Sequence, residues 1–202
     1  VGSEMCIRDS RSCLGQVNWL QSRTQFQSTY SFSRCASAAA APTIGDVRQL
    51  NRLVRRIRAE VIMLRYWPQK GASRIVGYPD AAYQNNRPDY STQRGHCIFI
   101  AEQRREGVIN PKGSLVDYES TKIKKSVQST TVAELYSLMK TFGTCQFLRG
   151  LWKDMTGETA PIHMRTDANN LVTTASTTHL PEQKETIHMV HCLLYTSPSP
   201  RD

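Results

Sequence analysis

The strongest constraint on the fold of this chain is a change of hydrophobic period near Thr131. Before it, apolar and polar residues alternate in runs of strand length, at roughly 74–83, 96–102 and 114–120, each bounded by Gly, Pro or Asn. From Thr131 the period lengthens to that of a helix over 131–154, with Leu135, Leu138, Met139, Phe142 and Cys145 on the face expected to be buried. Alternation returns over 162–167, where Ile162, Met164 and Thr166 interleave with His163, Arg165 and Asp167, and a short helix is expected from Asn169. Three strands, a helix, a strand and a helix describe an α/β domain with a mixed sheet whose first three strands form an antiparallel meander.

The ends call for a different reading. Residues 1–10 (VGSEMCIRDS) and 192–202 (CLLYTSPSPRD) can be back-translated so that one is the reverse complement of the other, as a transposase sequencing adaptor translated with its insert would be. Both are expected to be adaptor-derived and to play no part in the fold. Between them, residues 11–68 form a first, helical piece. After the small residues Ala36 to Ala41 and Pro42, a helix starting at Gly45 or Asp46 puts Val47, Leu50, Leu53, Val54 and Ile57 on one face and Arg48, Arg52, Arg55, Arg56 and Arg58 around the rest. The turn-prone stretch from Pro68 to Ser73 separates it from the strand-rich piece, residues 69–191.

Charge narrows the partner. The chain holds 26 Lys and Arg against 17 Asp and Glu, and setting the two ends aside leaves 24 against 14. That excess favours a polyanion, most often nucleic acid, with ordinary basic solubility as the alternative. Arg52, Arg55 and Arg56 are the candidate phosphate contacts in the first piece, against a reading as a solvated face. Cys13, Cys35, Cys97 and Cys145 show no C-x-x-C spacing, which argues against a zinc module and for reduced, intracellular thiols. No apolar run approaches the roughly eighteen residues of a membrane span.

Three acids stand at element boundaries. Asp80 lies in the first strand, in VGYPDAAY, Glu134 in the first turn of the long helix, and Asp167 at the end of the fourth strand. Each has a plain alternative: Asp80 as a turn residue after Pro79, Glu134 as the closing member of a capping box begun by Thr131, and Asp167 as a helix cap. Together they can converge on one sheet edge, and an oxygen cluster of that kind is what two hard cations need to clamp a phosphate.

The motifs GYPDAAY, DYSTQRGHCIFI, STKIKKSVQSTTVAELYSL and IHMRTDANNLV resemble, in order and spacing, the ribonuclease H domain of copia-type retrotransposon Pol polyproteins. That family reads YSDADW, a Ser-Thr-x-x-Gly segment before a strand, a Ser-Lys-Lys stretch leading to SSTxAEY, then CDNxxA. The resemblance covers residues 74–191. Upstream, GQVNWLQSRTQFQSTYSFSRCAS and the arginine helix resemble the end of the family's reverse-transcriptase region.

This resemblance implies a ribonuclease H-like mixed sheet and two-metal endonucleolytic cleavage of the RNA strand in RNA/DNA hybrids during reverse transcription. Asp80, Glu134 and Asp167 match three acids of the family's tetrad, implying two magnesium ions, with manganese as a substitute. The fourth ligand falls in EQKETIHMVH, where either Glu185 or His188 takes the position of the family's acid, while Ala82 stands where the family often has a second Asp. Lys122, Lys124 and Lys125 are implied to hold backbone phosphate, with a solvated loop as the alternative. The implied partners are the hybrid and the rest of the Pol polyprotein including its reverse transcriptase, with no membrane. The implied location is the cytoplasm, a virus-like particle or the nucleus. The competing readings are a catalytically decayed or truncated nucleic-acid-binding fragment and an integrase-type transferase, whose acids run Asp, Asp, Glu rather than Asp, Glu, Asp.

Overall fold

The computed structural model describes residues 4–60, 62–69, 71–86, 89–105, 108–109, 112–169 and 171–172. The chain divides into two compact units, Val1–Arg65 with Glu119–Thr121, and Tyr66–Tyr118 with Lys122–Asp202.

The first unit holds helices α1 (Glu4–Arg23), α2 (Thr29–Ser37), preceded by a single 3-10 turn at Phe26–Ser28, and α3 (Ile44–Ala59). Helix α1 starts before residue 11, the expected beginning of this piece, and passes through residues 4–10, which were expected to play no part in the fold; the Ser10 hydroxyl donates to the Ile7 carbonyl at 2.9 Å. Helix α3 starts a residue earlier than the sequence suggested because Thr43 caps it. The Thr43 hydroxyl accepts from the Asp46 amide at 3.2 Å, and the Asp46 carboxylate accepts from the Thr43 amide at 2.8 Å, a reciprocal capping box. The expected apolar face is the one that packs: Leu50 and Leu53 are buried with Leu14, Val17 and Cys35, and Val54 and Ile57 lie against them. The arginines of α3 are all exposed.

The second unit has a mixed α/β architecture, as expected. Strands β1 (Ser73–Asn86), β2 (Ser91–Arg105), β3 (Val108–Ile109), β4 (Ser114–Lys122) and β5 (Ile162–Met164) form one sheet, and helix α4 (Thr130–Thr156) connects β4 to β5. β1 pairs antiparallel with β2 and parallel with β5, while β3 and β4 both pair with β2. The two-residue β3 is an addition to the expected strands. β1 and β2 also run further than their alternation indicated, past an irregularity between Ala82 and Asn86 where Gln84 has a positive φ of 48°. Buried Asn86 holds this extension by donating to Ser91 Oγ at 3.2 Å and Gln93 Oε1 at 3.1 Å.

β5 is shorter than expected, and Pro79 supplies the reason. On the edge of β1 facing β5, the Ile75 amide donates to the Pro161 carbonyl and the Arg165 amide donates to the Gly77 carbonyl, both at 2.9 Å. The next bond on that edge would need an N–H from position 79, and proline has none. Pairing therefore ends, and the chain after Arg165 is released just ahead of Asp167.

Helix α4 is capped by Ser129, whose hydroxyl accepts from the Val132 amide at 3.3 Å, and stops at Gly157 in the left-handed conformation with φ 78°. Its buried face differs from the expected one. Leu135 and Cys145 are buried, but Leu138, Met139 and Phe142 are only half-buried, and the positions against the sheet are Ala133, Ser137, Thr141 and Cys145, none more than 1% exposed. Steps of four place these small residues in one stripe. The stripe lets the helix lie so close to β1 that a Cβ on Gly77 would sit 2.9 Å from Thr141 Cγ2 and 3.0 Å from both Cys145 Sγ and Met164 Sδ.

Gly77→Ala is therefore expected to destabilise the protein by about 1–3 kcal/mol in urea denaturation, the range for overpacking a core. Adding Thr141→Ser, which removes the nearest methyl, should recover part of the loss; no recovery would place the strain elsewhere.

Candidate metal centre

Each of the three acids reaches the site by a separate local cause. Asp80 follows Pro79 on β1, three residues beyond Gly77, the last one paired with β5. Glu134 is the fifth residue of α4. Because Ser129 and not Thr131 caps the helix, Glu134 lies beyond the reach of a capping box, and that alternative falls away. Asp167 lies in the turn after β5, where the Thr166 hydroxyl accepts from the Ala168 amide at 3.1 Å and the Asn169 amide donates to the Asp167 backbone carbonyl at 2.9 Å.

The three side chains meet. One carboxylate oxygen each from Asp80, Glu134 and Asp167 lies within 4.8 Å of the others, with Asp80 and Asp167 exposed and Glu134 half-buried. Burial pushes the Glu134 carboxyl up to about 7, with the charges of Asp80 and then Asp167 adding to the rise and a hydrogen bond from the Ala81 amide opposing it. Glu134 Oε2 is buried without a hydrogen-bond partner among the described residues. A buried oxygen without a donor is costly unless something positive binds it. The donor set consists of hard carboxylate oxygens, the type that magnesium, manganese and calcium prefer. On both counts these residues fit a divalent cation.

Sequence reasoning missed Ser137. It is 1% exposed and bridges the central strands: its hydroxyl accepts from the Asp80 amide at 3.2 Å and donates to the carbonyl of Gly95, the residue paired with Asp80, at 2.9 Å. Being one helical turn beyond Glu134, it fixes the height of α4 along β1 and so the distance between the two acids. The available signal was a serine among apolar positions at a spacing of three from Glu134. A second missed pair is His96, nearly buried on β2, whose Nε2 lies 2.7 Å from the Asp117 carboxylate on β4.

Lys122 forms an ion pair with Asp89 at 2.5 Å, while Lys124 and Lys125 are exposed. Arg56 pairs with Glu60 at 3.1 Å. Arg52 and Arg56 line a cavity in the first unit that Arg55 does not reach. Glu185 and His188 lie outside the described residues.

The chain matches no protein-family model and no curated protein. Among solved structures it is similar to LC11-RNase H1, isolated from compost by a metagenomic approach. The two share 16% identity over 60% of this chain and 74% of that one, with a TM-score of 0.42. No described helix is long and apolar enough to cross a membrane.

Two outcomes follow from the geometry. In the metal-free protein, the Glu134 carboxyl is raised from 4.5 to about 7. The folded state thus holds its proton more tightly than the unfolded state does. That contribution to stability is complete below pH 4.5 and is lost as pH rises through 7. In EDTA the melting temperature should fall across this window, and Glu134→Gln should remove that part of the fall. Ser137→Ala leaves the Asp80 amide and the Gly95 carbonyl without their partner and should cost about 1–3 kcal/mol in denaturant titration; a neutral result would mean that the bridge contributes nothing.

Proposed function

We propose that this chain cleaves the RNA strand of RNA/DNA hybrids at a divalent-metal site built from Asp80, Glu134 and Asp167. The observation that carries the reading is the convergence of these three carboxylates from β1, α4 and the end of β5 within 4.8 Å, in a sheet interrupted beside them by Pro79. The order of strands and helix around them agrees with the ribonuclease H-like sheet that the sequence resemblance implies, and the acids fall on the motifs that carry that resemblance.

The residues divide the work. Asp80 and Asp167 are exposed and can take hold of a cation arriving with substrate, whereas Glu134 must give up its proton before it can bind one. Two magnesium ions, or manganese in their place, supply charge neutralisation at the scissile phosphate and activation of water when bound. Ser137 holds the Asp80 backbone so that its carboxylate stays opposite Glu134. Either Glu185 or His188 completes the ligand set in this reading. Arg52, Arg55, Arg56, Lys124 and Lys125 contribute phosphate contacts, as does Lys122 on exchanging Asp89 for phosphate. The 2′-hydroxyl distinguishes the RNA strand from DNA. The parent protein is a copia-type retrotransposon Pol polyprotein, with the reverse transcriptase as the attached partner.

The test is cleavage of a labelled hybrid in magnesium, with metal binding followed separately by calorimetry. Asp167→Asn should abolish cleavage and weaken magnesium binding at little cost in stability, because the turn is held by the Thr166 hydroxyl and the Asp167 backbone carbonyl, which the change leaves in place, and repulsion among the carboxylates is relieved. Asp80→Asn and Glu134→Gln should behave alike, and combining them should lose little more. Full cleavage by all three single variants would end the nuclease reading. Hybrid binding without cleavage in the unmodified chain would make it a non-catalytic binding fragment.

A further inference from the structure

We propose that the cleft between α2 and α3 is a separate binding site for a phosphodiester of single-stranded nucleic acid, with one base laid against Tyr30. A cavity of about 390 Å³ opens there. From α2 come Tyr30 and Arg34, one turn apart; from α3 come Gln49, Arg52 and Arg56, at spacings of three and four. Both sets follow the helical spacing that brings side chains onto one face, so two short rows of donors look across one cleft. Three guanidinium groups line it and no carboxylate does.

Two acids interact with these arginines from outside the lining. Glu60 pairs with Arg56, and Asp46, whose charge interacts with that of Arg34, is held by Thr43 at the start of α3. The planar guanidinium fork matches phosphate oxygens in pairs, so a phosphate in the cavity meets Arg34 and Arg52 from its two walls and Arg56 on exchanging Glu60. Tyr30 is 43% exposed, leaving ring surface on which a base can stack, and Leu53 adds an apolar wall. The volume is near the lower end of the range for small-ligand pockets, roughly 300–1,000 Å³, which suits one nucleotide of a single strand, so that Arg52 and Arg56 hold the phosphate of that strand within the cavity and a hybrid phosphate only from outside it. The inference rests on the polyanion reading of the charge but not on hybrid cleavage, since the site needs no metal and shares no residue with the acid cluster.

Fluorescence anisotropy of the full chain with a labelled oligothymidylate, in EDTA and across a salt series, tests it. Arg34→Gln and Arg52→Gln should each weaken binding about tenfold at low salt and reduce the slope of log K against log salt by about 0.7. Arg58→Gln, on the same helix but outside the cavity, should change neither by more than about twofold. Tyr30→Ala should weaken the oligonucleotide about tenfold while leaving competition by pyrophosphate unchanged, separating base stacking from phosphate capture. Arg52→Lys keeps the charge, so it should retain the slope while losing affinity, and melting curves confirm that each variant is folded. Equal losses in Arg58→Gln, unchanged slopes in the cavity variants, or preferential binding to phosphatidylserine vesicles would overturn the proposal. Binding is read in EDTA, where no metal-dependent cleavage takes place, so a failed cleavage assay and a failed cavity are told apart.

Discussion

Helix α4 can lie close on β1 only because both surfaces are small where they meet. Ala133, Ser137, Thr141 and Cys145 present no long side chain to the strand, and Gly77 presents none in return. Close approach brings the Ser137 hydroxyl within reach of two backbone groups in neighbouring strands, and that pair of hydrogen bonds fixes the helix lengthwise. A purely apolar contact tolerates sliding, because dispersion is non-directional, whereas a hydroxyl shared between a donor and an acceptor does not. The position of Glu134 beside Asp80 is thus inherited from a packing decision made three residues further along the helix.

Much of this was legible in the sequence, and the failures have physical causes. Element order and the three acids could be read because period and boundary residues carry them, and the face of α3 was read correctly because it is buried by large aliphatics such as Leu50 and Leu53. The face of α4 was misread because its buried stripe is built from small and hydroxyl-bearing residues, which resemble a solvated surface when only hydrophobicity is weighed. The end of β5 was placed too late for a related reason. Alternation continues through Asp167, but pairing depends on the neighbouring strand, and the residue that stops it, Pro79, lies far away in sequence. The cap of α4 belongs to Ser129, although Thr131 with Glu134 offered the better-looking motif, because the helix begins at Thr130. Local patterns identify candidates, and tertiary pairing chooses among them.

The acid cluster works against the fold that builds it. Three carboxylates in close range repel one another, and the most buried of them answers by holding its proton. The chain tolerates this because the compensating order lies mostly in the backbone around the site, in the Ser137 bridge and in the strands on either side of Pro79, with the Ala81 amide donating to the Glu134 carboxylate. Leaving Glu134 Oε2 without a donor keeps one strong acceptor available for a ligand. The site is therefore rigid in its frame and unsatisfied in its side chains, a combination suited to capturing a cation.

Pro79 has one more effect. The pyrrolidine ring locks its own φ and Pro79 is buried, so the residue immediately before Asp80 cannot swing about that bond. The same ring that ends a strand early thus stiffens the backbone from which the first acid projects.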